Sequence, residues 1–218
     1  MPINYVELFL NLYDYALQNM DWYFQSIVNS ILNKQGFQFH LVCAGTFNDR
    51  FARRYKINSP AVSLGVTFVI PVGVILLHNN FKYTPKDWIE FVTAHELAHI
   101  CLNHFPIKVF MCEIWRSLPR DLREFWTLLK SIVYIFSTIS AKPYKFPEEN
   151  ITAQQELAAD EWAVKVLRRK EPALNFLRWI KKQGIIISHI SPIGGLPALT
   201  ISERIKYIED LAIDYEGS

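Results

Sequence analysis

The chain has 218 residues, 50% of them hydrophobic, and a formal net charge of +2. That length suffices for one domain burying about 70% of its unfolded surface, and the balanced charge excludes a strong electrostatic case for nucleic acid. Three cysteines (Cys43, Cys101, Cys112) form no even disulfide framework, and no charged n-region or cleavage site marks a signal peptide, so a reducing, cytoplasmic setting is expected.

The element pattern predicts an α+β, mainly helical domain with a small sheet. Residues 1–55 form a helical N-terminal region. Within it, Tyr5, Leu8, Phe9, Leu12, Tyr13 and Ala16, then Trp22, Phe24, Ile27, Val28 and Ile31, recur at helical spacing and predict a packed two-helix cap stopped by Gly36. Residues 37–44 alternate loosely and predict a strand. Between Ile57 and Phe81 there is no Asp, Glu, Lys or Arg, a run long enough to span a bilayer. Pro60, Gly65, Pro71 and Gly73, among many β-branched residues, favour two buried strands instead. The first is expected at Val62–Ile70, with the bend at Pro71-Val72-Gly73.

Thr84-Pro85-Lys86-Asp87 then reads as a helix start, with Thr84 as N-cap, Pro85 at the first helical position and Asp87 completing a capping box. Trp88, Phe91, Val92, Ala94, Ala98 and Leu102 carry the helical period, and Pro106 stops it. In its middle stand His95-Glu96-Leu97-Ala98-His99. Positions four apart on a helix differ by about 40° around the axis, so both histidines face one metal ion. Glu96 lies beside that face, placed to take a proton from water. Cys101 lies about 200° around from His99 and reads as a buried thiol. His104, five residues past His99, falls off the ligand face and reads as structural; His40 and His78 carry no signal.

Residues 106–149 form an insert, aromatic and basic: Trp115, Arg116, Arg120, Arg123, Trp126, then an apolar run through Phe136. It suits a helical lid over a cleft, with an interfacial membrane contact through residues 105–141 as the other reading. Residues 150–218 open on a helix started by Thr152 and Gln155, bearing Glu156 and Asp160 on one face. A catalytic zinc ion needs three protein ligands, and Glu156 is the best third. Asp160 is placed to accept the free ring N–H of His95 and fix its tautomer. Small Ala159 and Ala163 on that side allow close helix approach. A further helix through 176–182 ends at Gly184, and Thr200-Ile201-Ser202-Glu203 opens a last one to about Asp214.

His95-Glu96-Leu97-Ala98-His99 followed by Glu156-x-x-x-Asp160 resembles the gluzincin metallopeptidases. The resemblance is to the CAAX prenyl endopeptidase and heat-shock membrane protease family and its small soluble relatives, the minigluzincins. The order of segments from Asn58-Ser59-Pro60-Ala61 through the apolar strand to the zinc helix is similar, as is a tail of His189-x-Ser191-Pro192 and Ser202-Glu203-Arg204-Ile205. The family's Asn-Ala before the strand is Ser59-Pro60-Ala61 here, and its His-Pro tail is interrupted. The resemblance implies one zincin-like domain over residues 1–218 whose edge strand (56–105 region) borders the cleft and pairs with extended peptide. It implies zinc on His95, His99 and Glu156, with Glu96 as general base for peptide-bond hydrolysis. For the developing oxyanion, Tyr144, His189, Arg204 and Tyr207 are candidates, and the tail favours His189 and Arg204.

The expected function is therefore a zinc endopeptidase acting on peptides or unfolded protein, active or latent. The alternative is a catalytically silent zinc module that binds a protein partner or docks peripherally on membranes. The sequence assigns no oligomeric state.

Overall fold

The aromatic-rich start of the chain breaks into two helices at Asn19–Asp21: Tyr5–Gln18 (α1) and Trp22–Lys34 (α2). This is a computed structural model, and it describes residues 5–55, 57, 59–67, 69–104, 151–183 and 199–212. Asp21 makes the break, its carboxylate accepting from the N–H groups of Tyr23 and Phe24. The end of α2 is a Schellman turn: the Phe37 N–H donates to the Leu32 carbonyl and Gly36 N–H to Asn33, with Gly36 at φ +82°. Phe37 is consumed in that cap, so the strand expected at 37–44 forms four residues later, as Leu41–Phe47 (β1). A short helix that the sequence reading missed, Asp49–Tyr55 (α3), follows; Asn48 Oδ1 caps it through the Phe51 N–H.

The uncharged run forms Ala61–Thr67 (β2) and Pro71–His78 (β3), paired antiparallel, with β1 parallel to β3 on its other side. The expected strand Val62–Ile70 ends early, at Thr67, and Pro71–Gly73, the expected bend, already belongs to β3. Pro71 lacks an N–H and takes the first position of β3, where none is needed. Gly73 serves packing instead: a Cβ there would come 2.7 Å from Ile100 Cδ1.

Alternation sorts the sheet into two buried faces. Val42, Ala44, Ala61, Ile75 and Leu77 pack toward the helices that carry the site. Cys43, Phe47, Leu64, Val66, Val74 and Leu76 pack against Phe9, Leu12 and Ala16 of α1 and Phe51 of α3. The sheet thus sits between two helical layers, which accounts for a strand run without charge.

The two sheet edges differ. Along β1, Gln25 imitates a strand: its Nε2 donates to the Val42 carbonyl and its Oε1 accepts from Ala44 N–H. Asp21 N–H donates to Ala44 and Thr46 N–H to Asn19, completing the cover. On β2, the His78 N–H donates to Pro60, so odd-numbered residues turn their main chain outward. Asn103 closes one end through both main-chain groups of Thr67 (2.6 and 3.0 Å), and Ser59 Oγ meets the Ala61 N–H at the other. Among the described residues nothing pairs with the outward groups of Ser63 and Gly65.

A 3-10 turn, Asn79–Tyr83, leads into Lys86–Cys101 (α4). Thr84 is not its cap; its hydroxyl donates to the Phe81 carbonyl, and Pro85 holds the cap position without a side-chain bond. Residues 91–98 of α4 are buried on every side, a central helix rather than a half-exposed one. Ile151–Leu167 (α5), Glu171–Gln183 (α6) and Ile201–Asp210 (α7) surround it. Thr152 lies inside α5, not at its cap. Ala159 and Ala163 are fully buried. The capping box of Thr200 and Glu203 opens α7, which ends at Asp210, before the expected Asp214. Among the described residues there are thus seven helices and a three-stranded mixed sheet, an α+β, mostly helical architecture. No helix among them is long and apolar enough to cross a membrane. The 105–149 segment with Trp115, Trp126 and Tyr144, and His189, lie outside the described residues.

Candidate metal centre

Donor atoms of three residues converge where α4 meets α5. His95 Nε2 is 3.3 Å from Glu156 Oε2, His99 Nε2 is 3.4 Å from Glu156 Oε1, and the two Nε2 atoms are 3.2 Å apart. Helical spacing brings the histidines together, and the close approach of α5 at Ala159 and Ala163 brings Glu156 to them. The group is buried, with His95 and Glu156 each 6% exposed. Cys101 takes no part; burial pushes its thiol up to about 12.

The spacing can be tested against an ion. A tetrahedral ion with ligand bonds of about 2.0–2.1 Å separates its donors by about 3.3 Å. The two imidazole nitrogens stand 3.2 Å apart, close to that edge length, while Glu156 turns a different oxygen to each histidine, at 3.3 and 3.4 Å. The group His95, His99 and Glu156 can therefore hold a metal ion, its donors all within 4.8 Å of one another.

Around the triangle lies an ordered set of partners. Asp160 Oδ1 sits 2.9 Å from His95 Nδ1. Asp160 is in turn gripped by Arg204, whose Nε and Nη2 donate to its two oxygens at 2.7 Å. Arg204 Nη1 is 3.5 Å from Glu156 Oε2. Two of the guanidinium's three nitrogens are thus spent on Asp160, leaving Nη1 over the site. Ser63 Oγ, from strand β2, donates to Glu96 Oε2 at 2.6 Å. Tyr207, another oxyanion candidate, donates instead to Glu161 on the outer side of α5.

Burial and charge set the protonation. Burial opposes charge on His95, but its hydrogen bonds to Asp160 and Glu156 and their negative charge prevail, raising it to about 10. Burial would raise Glu156 and Asp160, yet the His95 hydrogen bond holds Glu156 well below the usual range, and the Arg204 charge lowers Asp160. Glu96 goes the other way: burial raises it, against the pull of His95 and Ser63. Burial pushes His104 down to about 4.

A pH dependence follows for the metal-free protein. His95 titrates at about 10 when folded against 6.5 otherwise, so its stabilisation is complete below pH 6.5 and is lost as pH rises toward 10. Urea unfolding of chelator-treated protein is expected to show a loss on the order of a few kcal/mol over that window. Saturating metal removes the slope, because His95 is then deprotonated in the folded state. A flat profile without metal would refute the ion-pair arrangement of His95.

Ser63 and His104 are the site residues that sequence reasoning missed. Ser63 carries no local signal. His104 does: Asn103, in the left-handed region at φ 55°, ends α4 early and turns the chain back over the ligands. The reading of His104 as lying off the ligand face assumed that the helix ran on toward Pro106, whereas it stops at Cys101. No family model matches the chain, and no curated protein or solved structure matches it either.

Proposed function

We propose that the chain is a zinc-dependent endopeptidase of the gluzincin kind, with a zincin-like fold. The observation that carries this is the convergence of His95, His99 and Glu156, one donor atom from each lying within 4.8 Å of the others, with the Glu96 carboxyl beside His95 on α4. Two imidazoles and one carboxylate suit zinc, and leave a coordination position open. Zinc held there supplies Lewis acidity, polarising a carbonyl and bringing the acidity of water near pH 7.

The chain's own residues do the rest. The outward main chain of Ser63 and Gly65 offers hydrogen bonds to an extended peptide, laid as an added strand on the open edge of β2. A cavity beside His95 and Glu96 is walled by Pro60, Ala61, Phe91, Val92 and Phe176, an apolar surface for a substrate side chain. Glu96 accepts the proton of the attacking water and passes it to the leaving amine, and burial raises its pKa toward the working range for such a base. Asp160 holds the His95 ring by its Nδ1, leaving Nε2 for the ion. Arg204 keeps Asp160 ionised, and its Nη1 lies 3.5 Å from Glu156 Oε2.

The testing experiment is digestion of a mixed peptide library by zinc-loaded protein, read by mass spectrometry. Cleavage by the wild type at one zinc per chain is expected. One zinc per chain without cleavage would sink the enzyme and leave a zinc-containing binding module.

Ser63 gives a finer check. Its hydroxyl favours ionised Glu96, so Ser63→Ala is expected to shift the acid limb of the kcat/KM profile to higher pH, with a several-fold loss at neutral pH. An unmoved acid limb would show that Glu96 is not the titrating base.

A further inference from the structure

We propose that His104 is a positioning residue of the metal centre: its Nδ1 accepts the Nδ1–H of His99 and so holds that ring with Nε2 turned to the ion. The inference rests on the reading of His95, His99 and Glu156 as a metal site, and deepens it.

The geometry originates in the backbone. The end of α4 is a Schellman turn, with the His104 N–H donating to the His99 carbonyl (3.0 Å) and the Asn103 N–H to Ile100 (3.3 Å). This motif sets the side chain two places beyond the cap against the one three places inside the helix, a contact that apolar residues commonly fill. Here both positions are histidines. Their Nδ1 atoms meet at 2.9 Å, with the rings edge to face, 4.9 Å between centroids.

The turn is anchored on both sides of the cleft. The Asn103 carboxamide bonds both main-chain groups of Thr67 on β2. The His104 carbonyl accepts from Gln155 Nε2, next to the ligand Glu156 on α5 (3.2 Å). Both attachments use atoms other than the His104 ring, so the ring is presented to His99 by a framework that does not depend on it.

Proton accounting gives the direction. One hydrogen is shared between the two Nδ1 atoms. His99 Nε2 is the atom that faces His95 and Glu156, and a ligating nitrogen carries no proton, so the proton of His99 is on Nδ1. His104 must then accept, with its own proton on Nε2. The two histidine ligands are thus held differently: His95 by a carboxylate tied to Arg204, His99 by an imidazole that brings no negative charge. Partners of this kind typically govern metal affinity by about 10- to 100-fold.

The test compares wild type, His104→Ala and His104→Asn by zinc competition against a chromophoric chelator, with thermal melting of the zinc-free proteins as a fold control. Asn places an acceptor oxygen near the position of Nδ1. His104→Ala is expected to bind zinc about 10- to 100-fold more weakly, with His104→Asn returning to within a few-fold of wild type. Nitrogen-15 NMR of the zinc-loaded wild type is expected to show an unprotonated Nδ1 on His104, coupled across the hydrogen bond to the His99 proton. Equal affinity of His104→Ala and wild type overturns the inference, as does a proton on His104 Nδ1. So does an affinity loss that Asn fails to restore and that follows a fall in melting temperature. Absence of stoichiometric zinc in the wild type overturns the metal reading itself, before any variant is compared.

Discussion

Glu96→Gln protein is expected to retain one zinc per chain and to lose peptide cleavage by about 10³-fold or more. The change is isosteric, and its consequences separate cleanly. Glu96 is not a corner of the donor triangle, so the ion keeps His95, His99 and Glu156. The amide oxygen can still accept from Ser63 Oγ, which sits 2.6 Å from the carboxylate, so the link between α4 and β2 survives. What disappears is the capacity to take a proton from water and deliver it to the amine. Cleavage within tenfold of wild type would refute Glu96 as the base. Loss of zinc together with activity would place Glu96 among the ligands instead.

The largest effect on stability is expected at Arg204. It is 5% exposed and its fork is bidentate on Asp160, itself fully buried, with Nη1 3.5 Å from Glu156. Arg204→Met keeps much of the volume but strips the buried Asp160 of its chief counter-charge and takes a further positive charge from beside Glu156. Breaking one side of a buried pair in this way costs about 3–5 kcal/mol, to be read from urea unfolding of the zinc-free proteins. Adding Asp160→Asn to Arg204→Met is expected to recover part of the loss, since the stranded charge is then gone. A loss below about 1 kcal/mol in the single variant would mean that the pair is solvent-screened rather than buried. Zinc affinity is expected to fall as well, because Asp160 loses the charge that keeps it ionised against His95.

The candidate centre was partly legible because its parts are local. His95 and His99 share a helix face by spacing alone, and so do Glu156 and Asp160, which the structure sets against the first pair. Helix boundaries were less legible wherever a cap used a residue otherwise. Phe37 looks like the start of a strand but completes the cap of α2, and Thr84 looks like an N-cap but is held by the preceding turn. Pro71 looks like a bend but suits the first place in β3. His104 shows how one boundary changes chemistry: had α4 continued, its ring would point away from the ligands, and the left-handed Asn103 turns it back onto His99.

By itself the sequence determined what periodicity and short-range spacing can encode: a mainly helical α+β chain, a charge-free buried sheet, and two helices each bearing a pair of polar residues on one face. Only the tertiary structure decided which partners those residues meet. Ser63 reaches Glu96 across 33 residues, Arg204 reaches Asp160 across 44, and Asp160 reaches His95 across 65. Nothing in a helical or strand period ties residues that far apart. Their meeting depends on which apolar faces pack together, and each buried charge then takes whatever counter-charge or hydrogen-bond donor that packing leaves within reach.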